Sequence, residues 1–427
     1  MTIHIPLSTP GAGPSKYASW SSDPQDDLAA VVRTLRSSKK MVVVSGAGVS
    51  TAADIPDFRS STGLFHDNGY TSGKGKARGD QVKDLFHVKC LSSSTLLAQH
   101  YSLITSLASL AISANPTCFH SYLSELASSG RLLRCYTQNI DNLESKAGLQ
   151  VGIPLPKKPR GKSQKQKATT VHENRIPEVI PLHGLLDTLH CVLCQTVIPL
   201  EPYLPLPEHV IPCPTCQLAS TIRAALSERT RRSGHLRASV ILYGEEHPQG
   251  DLIGSIVEKD LKSVDCLLVI GTSLSVPGVK RIVKEMSKST KARKGKVILV
   301  NDEYPKGLNG AGSGGGDWRD IFDFWLQIDI QSFIKDYLTN EDYITSIPKE
   351  EKKIPITPRK MNKLVYPPTP ESLDRPSKAP DQAMLTPTKS KKRKEIEVVI
   401  PTPTSTMKRK YVKRQREVSP SPMPKGN

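Results

Sequence analysis

The apolar run Met41–Val44 is followed, after one serine, by the glycine-rich segment Gly46-Ala47-Gly48. This pattern predicts a buried parallel strand that turns toward a helix, where backbone amides without a neighbouring Cβ can approach a pyrophosphate. A lone Gly-x-Gly is weak evidence. The continuation Ile55-Pro56-Asp57-Phe58-Arg59 adds a rigid turn, an acid, an aromatic ring and a base, which is unusual for a plain surface loop. We therefore predict a phosphate-bearing cofactor at this strand end.

Further apolar runs also end in small polar residues. Strands are expected at 132–136, 239–243, 266–270 and 297–300, and they alternate with helical stretches such as 250–261 and 279–287. Such alternation predicts an α/β protein with a Rossmann-like, doubly wound parallel sheet. Open sheets of this kind bind ligands at the carboxyl ends of their strands.

Four cysteines form two Cys-x-x-Cys pairs, Cys191 with Cys194 and Cys213 with Cys216. Each pair can present two sulfurs to one tetrahedral zinc ion at about 2.3 Å. A redox pair or unliganded buried cysteines are the alternatives. Four thiolates leave no ligand position for water, so the zinc would be structural. The segment 185–236, which breaks the strand–helix rhythm, is predicted to be a small inserted zinc module.

A histidine beside a glycine, His183-Gly184, completes a set of motifs that resembles the sirtuins, NAD-dependent protein-lysine deacylases, from about Leu28 to Ile330. Taken alone, His183 would more often be a structural histidine. The resemblance implies instead a general base that takes a proton from a ribose hydroxyl. It also implies that the acyl oxygen attacks the ribose carbon of NAD as nicotinamide leaves, yielding O-acetyl-ADP-ribose. The other histidines, His120 and His247 among them, have no comparable setting.

The resemblance also implies the remaining site residues. Asn139 and Asp141 would act with His183 in catalysis. The NAD-binding residues would be Gly46, Ala47, Gly48, Ser50, Ile55, Asp57, Phe58, Arg59, Gln138, Asn139, Asp141, Gly271, Thr272, Ser273 and Asn301. An extended acyl-lysine peptide would add as a strand along Tyr243, Gly244, Glu245, Val276 and Pro277. Taken individually, each of these residues would more often be a turn former or a strand-end cap, whereas the combination favours the site.

Two positions depart from the usual sirtuin pattern: Asp54 replaces a glycine, and Tyr243 replaces a phenylalanine. An acid near a pyrophosphate should repel it unless its side chain turns to solvent. Four features together resemble the fungal nuclear branch that deacetylates histone H3: the Tyr-Gly-Glu run at 243–245, the Asn142-Leu143-Glu144 ending, the long basic insert 151–180 and the basic tail.

Charge is concentrated in appendages. Residues 346–427 hold 20 Lys and Arg and 8 Asp and Glu, a net charge of +12. The whole chain of 427 residues has a net charge of +18. We predict a disordered segment at 1–25, a catalytic domain at 26–345 and a disordered, proline-rich basic tail at 346–427. Such basic segments attract chromatin, nucleic acid or import receptors, although a solvated tail without a reader is also possible. We expect a nuclear protein.

The tail also contains Ser-Pro and Thr-Pro sites that proline-directed kinases could modify. They begin at Thr357, Thr369, Thr386, Thr402, Ser419 and Ser421. No signal sequence opens the chain and no apolar run approaches the length of a membrane span, so no membrane partner is expected. Two other functions stay open: a catalytically weak chromatin scaffold with the sirtuin fold, and a mono-ADP-ribosyltransferase.

Overall fold

The computed structural model describes residues 2–7, 18–58, 63–64, 79–154, 176–305, 318 and 320–348. The strands are β1 (Thr2–Pro6), β2 (Ala18–Trp20), β3 (Met41–Ser45), β4 (Leu132–Thr137), β5 (Val179–Pro181), β6 (Gly184–Cys191), β7 (Val197–Pro199), β8 (Ile211–Pro212), β9 (His235–Val240), β10 (Cys266–Ile270), β11 (Lys296–Val300) and β12 (Phe324–Gln327). The helices are α1 (Pro24–Ser37), α2 (Gly79–Leu85), α3 (Ser94–Ser113), α4 (Cys118–Ser128), α5 (Leu143–Lys146), α6 (Pro214–Ala225), α7 (Gly250–Asp260), α8 (Pro277–Ala292), α9 (Ile330–Ser332) and α10 (Glu341–Ser346). Arg59, most of the basic insert and the tail beyond residue 348 lie outside the described residues.

Eight strands form one parallel sheet in the order β2-β1-β12-β11-β10-β3-β4-β5. The interior strand β3 pairs with β4 on one side and with β10 on the other, so the strand order reverses there. Ser45 lies level with Ile270 of β10 and Thr137 of β4, which brings three strand ends together. This is the position at which doubly wound sheets bind ligands. The predicted Rossmann-like fold is confirmed.

Helices cover both faces of this sheet. Val43 packs in a cluster with α1 and α4, whereas Val42 and Val44 face a second cluster with α7 and α8. Every residue of β3 and β10 is buried, as expected for parallel strands that are covered on both sides. The sheet therefore gives the loops at its carboxyl edge a rigid base.

The prediction of disorder over residues 1–25 is wrong for its described parts. β1 pairs with β12, placing Ile3 opposite Phe324, and β2 adds at the sheet edge. His4 stacks on Trp325 with ring centroids 3.9 Å apart. The composition of the first 25 residues hides this short apolar strand, which gains its stability from a partner more than 300 residues away.

The second sheet is antiparallel, with the order β7-β6-β9-β8. The strand predicted at 239–243 is therefore misplaced: β9 ends at Val240 and pairs with β6 and β8, not with the parallel sheet. An apolar run such as 238–242 does not specify which sheet it joins.

Helix α3 corrects the expectation that no apolar run reaches the length of a membrane span. This 20-residue helix contains an 18-residue window with a mean hydropathy of 1.2, so length and composition alone would allow it to cross a membrane. Buried core helices pass the same test. Here Tyr101, Ile104 and Leu107 pack in a core cluster with Phe86 and Leu242.

Candidate active site

The glycine-rich loop after β3 lies against the loop after β10. The Gly46 amide donates to the Ile270 carbonyl at 3.1 Å, and the Gly48 amide donates to the Gly271 carbonyl at 3.0 Å. A Cβ on Gly46 would lie 2.7 Å from both the Gly271 oxygen and the Thr272 Cβ, closer than real contacts allow. The glycines are thus required by the close approach of two protein loops, whether or not a phosphate is bound.

Gln138 ties the three strand ends together. Its side-chain amide donates to the Ser45 carbonyl at 3.2 Å and to the Thr272 hydroxyl at 2.8 Å. The Thr272 hydroxyl oxygen also accepts from the Leu274 amide at 3.1 Å. This bridge fixes the predicted ribose and phosphate residues of β3, β4 and β10 relative to one another.

Asn139 offers a buried, open hydrogen-bond acceptor. Its amide nitrogen donates to the Ser50 hydroxyl at 3.0 Å, but within the described part of the chain its Oδ1 has no hydrogen-bond partner. The Ser50 hydroxyl in turn bonds the Asp141 carboxyl, which also accepts from the Leu143 amide at 3.0 Å. Burial raises the pKa of Asp141. Since an unpaired buried acceptor is costly, Asn139 is suited to a ligand hydroxyl or amide.

His183 is held in the tautomer that a general base requires. Its Nδ1 lies 2.9 Å from the Gln138 carbonyl oxygen, which can only accept, so Nδ1 carries the proton and Nε2 keeps its lone pair. Burial lowers the pKa of His183, and the carbonyl partly offsets this. The next residue, Gly184, has φ of 77°, and a Cβ there would lie 1.9 Å from the Ser239 carbonyl oxygen. Only glycine therefore allows β6 to begin here.

The four predicted zinc ligands form one cluster. The sulfurs of Cys191 and Cys216 are 3.8 Å apart, and those of Cys194 and Cys213 are 3.7 Å apart. Four sulfurs at 2.3 Å from a tetrahedral centre would be about 3.8 Å apart. A Cβ on Gly234 would lie 2.5 Å from the Cys191 sulfur, so the module closes tightly around this centre. The cluster fits one structural zinc ion.

Comparison with known proteins identifies the family. The Sir2 family model matches residues 46–278. This chain belongs to the Sir2 family. It is 39% identical over 316 residues to the NAD-dependent protein deacetylase hst4 of Schizosaccharomyces pombe, which covers 72% of this chain and 68% of that protein. It is 38% identical over 290 residues to the NAD-dependent histone deacetylase HST4 of Saccharomyces cerevisiae, covering 65% of this chain and 71% of the relative.

The fold is also that of solved Sir2 structures. A Sir2 homologue in complex with 2'-O-acetyl ADP ribose superposes with a TM-score of 0.50 at 21% identity, covering 75% of this chain and 98% of that one. The predicted family and fold are confirmed. NAD and one zinc ion, the two predicted cofactors, agree with the Sir2 family and with the four clustered cysteines.

The remaining predicted NAD residues, apart from Arg59, lie in loops at the carboxyl edge of the parallel sheet. Ile55 is buried against Leu143, and Phe58 meets Phe86 edge to face at 5.6 Å. Asn301 follows β11 directly, and its side-chain amide donates to the Glu303 carbonyl at 2.7 Å. The other members of the set, Ala47, Asp57, Gly271 and Ser273, lie in the loops after β3 and β10.

Asp54 has a conformational explanation. It adopts the left-handed region with φ of 60° and is exposed. Glycine is the favoured residue in this region, and aspartate is among the few others that tolerate it. Its carboxylate therefore faces solvent, which removes the main reason to expect repulsion of a pyrophosphate.

The predicted substrate segment at 243–245 is already braced by the protein. The Tyr243 amide donates to the Phe86 carbonyl at 2.7 Å, and its carbonyl accepts from the Val88 amide at 2.9 Å. Glu245 accepts from Arg237 at 2.7 Å, and this ion pair is largely buried. Among the described residues, the backbone of Gly244 makes no backbone hydrogen bond, so it is open to a peptide strand.

Val276 and Pro277 lie at the first turn of α8. Val276 precedes the helix and Pro277 opens it, a position where the missing proline N–H costs nothing. Val276 packs against the cluster on the α7 and α8 face of the sheet.

Two histidines without a predicted role lie close to predicted catalytic residues: His247 is near His183, and His120 is near Asp141. Burial and the neighbouring His183 both lower the pKa of His247, whose Nδ1 accepts from the Gln249 amide at 3.0 Å. His120 lies in α4 and shares a buried cluster with Asp141. The local sequence indicated a role for neither histidine, because each approaches its partner only in the folded protein.

Proposed function

We propose that this Sir2 enzyme is an NAD-dependent protein-lysine deacetylase that acts on acetylated histones, with a core lysine of histone H3 as the preferred site. The carrying observation is the His183–Gln138 hydrogen bond, which leaves a basic Nε2 at the carboxyl edge of the sheet. Relatives at 38% and 39% identity are named NAD-dependent histone or protein deacetylases. These observations support acyl-lysine chemistry more than a scaffold function.

When bound, NAD supplies the ribose carbon that accepts the acyl oxygen. His183 would take a proton from a ribose hydroxyl through Nε2, and its lowered pKa keeps the ring neutral near pH 7. The open Oδ1 of Asn139 would accept from a hydroxyl, while Gln138 keeps the loop fixed. Asp141 would accept from the nicotinamide carboxamide. Nicotinamide would leave from the ribose carbon, and water would then release the free lysine amine, so that the acetyl group ends on the ribose as O-acetyl-ADP-ribose.

The histone segment would dock as an extended strand between Gly244 and Val276. Main-chain pairing of this kind gives affinity with little demand on sequence. Because Tyr243 already uses its own amide and carbonyl within the protein, pairing would fall to Gly244 on this side. Tyr243 and Val276 would line the channel for the acyl-lysine.

A nuclear role in chromatin silencing, transcription regulation or genome maintenance is consistent with histone-directed relatives. The basic insert and tail would supply contacts to nucleic acid, import receptors or proline-directed kinases. A truncation after Pro348 keeps α10, in which Tyr343 meets Tyr337 edge to face at 5.0 Å. Such a variant should keep peptide deacetylation and lose nuclear accumulation. Retained nuclear location would contradict the role of the tail.

Nicotinamide release separates the three candidate functions. The enzyme should release nicotinamide with acetylated histone H3 and not with the unacetylated histone. A chromatin scaffold would release none with either protein. A mono-ADP-ribosyltransferase would release nicotinamide without the acetyl group and leave ADP-ribose on the acceptor.

A further inference from the structure

A buried cluster of three titratable side chains lies behind the proposed nicotinamide contact. His120 comes from α4, Asp141 from the loop after β4, and Glu144 from α5. One ligand-type atom from each lies within 4.8 Å of the other two. Their exposures are 0%, 7% and 0%. Three such groups rarely share a dry site without a functional reason.

Several polar atoms of this cluster are unpaired. His120 Nε2 and both carboxyl oxygens of Glu144 have no hydrogen bond of ordinary geometry to the described residues. The Thr117 amide donates to His120 Nδ1 at 3.2 Å, so in the neutral ring the proton is on Nε2, the nitrogen without a partner. An N–H donor is thus buried beside two carboxyl groups. Leaving such atoms unpaired costs about 1–3 kcal/mol each, and a purely structural core would replace them with apolar groups.

Near neutral pH the two carboxyl groups of this cluster keep one proton, whereas two exposed carboxyl groups would both be ionised. Burial, followed by the charge of Asp141, raises the pKa of Glu144 to about 7. Burial lowers the pKa of His120 to about 4. Lys146 lowers the pKa of Asp141, and the Thr137 hydroxyl lowers the pKa of Glu144. Burial and the charge of Glu144 raise the pKa of the Cys135 thiol.

Burial raises the pKa of Asp141 as well, but its carboxyl accepts from the Leu143 amide and the Ser50 hydroxyl, which favour its ionised form. Neither Glu144 oxygen has a partner of ordinary hydrogen-bond geometry, so we assign the proton of this coupled pair to Glu144 and leave His120 neutral near pH 7.

We propose that Glu144 and His120 are positioning residues that keep one shared proton behind Asp141 and thereby hold Asp141 ionised for the nicotinamide carboxamide. This inference rests on the proposed function, in which Asp141 accepts from the carboxamide. With Glu144 neutral, Asp141 is the one anion of the site and keeps its geometry. When Glu144 loses its proton, two buried carboxylates repel each other at close range, and nicotinamide binding weakens.

The first test is product inhibition by nicotinamide as a function of pH. Between about pH 6 and pH 8 the protonated fraction of a group with a pKa of about 7 falls roughly tenfold, so inhibition of the wild type should weaken by up to about tenfold. Glu144→Gln imitates the protonated acid and should remove this dependence while retaining the strong inhibition. Glu125→Gln changes an exposed residue of α4 and should match the wild type. A pH dependence that survives in Glu144→Gln would overturn the proposal.

The second test does not need turnover. Infrared difference spectra of the folded protein should show a protonated carboxyl band at about pH 6 that disappears on raising the pH through about 7 and is missing in Glu144→Gln. The same band in Glu144→Gln, or no such band in the wild type, would overturn the proposal. If the wild type releases no nicotinamide with acetylated histone, the proposed function fails, whereas this spectroscopic result still decides where the proton is held.

Discussion

Replacing Gly46 by alanine tests whether packing between the loops after β3 and β10 requires glycine at this position. The added Cβ would lie 2.7 Å from the Gly271 oxygen and from the Thr272 Cβ, and 3.1 Å from the Thr272 Cα. Favourable carbon contacts need about 3.5–4.0 Å, so the ends of β3 and β10 must separate by roughly 1 Å. That shift strains the hydrogen bond from Gly46 to Ile270. Overpacking of this kind costs about 1–3 kcal/mol in unfolding free energy.

The measurement pairs urea denaturation with calorimetric titration of NAD. The matched control is Gly254→Ala in α7, where an added Cβ meets nothing within 4 Å. There the same substitution should stabilise the protein by about 0.5–1 kcal/mol, because alanine is the better helix former. Gly46→Ala should lose stability and bind NAD more weakly. If it is as stable as the wild type and binds NAD equally well, the loop does not require glycine for packing.

Three further outcomes are expected. Cys213→Ser should lower the zinc content measured by atomic absorption and unfold the module, and a folded, zinc-free, active variant would contradict a structural zinc. Asp260→Asn should cost about 3–5 kcal/mol in urea denaturation, because the buried Asp260 carboxylate accepts from Arg134 at 3.0 Å and from Tyr136 at 2.7 Å; a cost below about 1 kcal/mol would refute this. Burial lowers the pKa of His100 and His120 to about 4, so the unfolded state binds more protons below about pH 6.5. Stability should therefore fall by about 3 kcal/mol per histidine between about pH 6.5 and pH 4, and an unchanged urea midpoint over this range would contradict it.

Local features of the sequence were sufficient for much of the fold. The strand β3 and the loop after it could be predicted because a fully apolar run and its glycines are adjacent in the chain. The zinc cluster could be predicted because Cys-x-x-Cys spacing alone places two sulfurs together. Gly271 and Asn301 follow strands β10 and β11, which were located correctly.

Contacts between distant segments could not be predicted in the same way. The strand β1 depends on β12, and no local pattern indicates that pairing. The bracing of Tyr243 by Phe86 and Val88 depends on how the segment before α3 lies against the substrate loop. The role of Glu144 depends on His120, which comes from another helix and meets it only in the folded core.

Simultaneous measurement of the two products from an acetylated histone H3 peptide tests the proposed function most directly. With this peptide and NAD, and with no other cofactor added, the wild type should form one O-acetyl-ADP-ribose for each nicotinamide released. His183→Ala should lower this rate by about 10²–10⁴-fold while calorimetry shows NAD binding largely unchanged, because Nε2 of His183 is the proposed proton acceptor. Equal rates for the two proteins, or nicotinamide release without the acetylated product, would contradict deacetylation with His183 as the base.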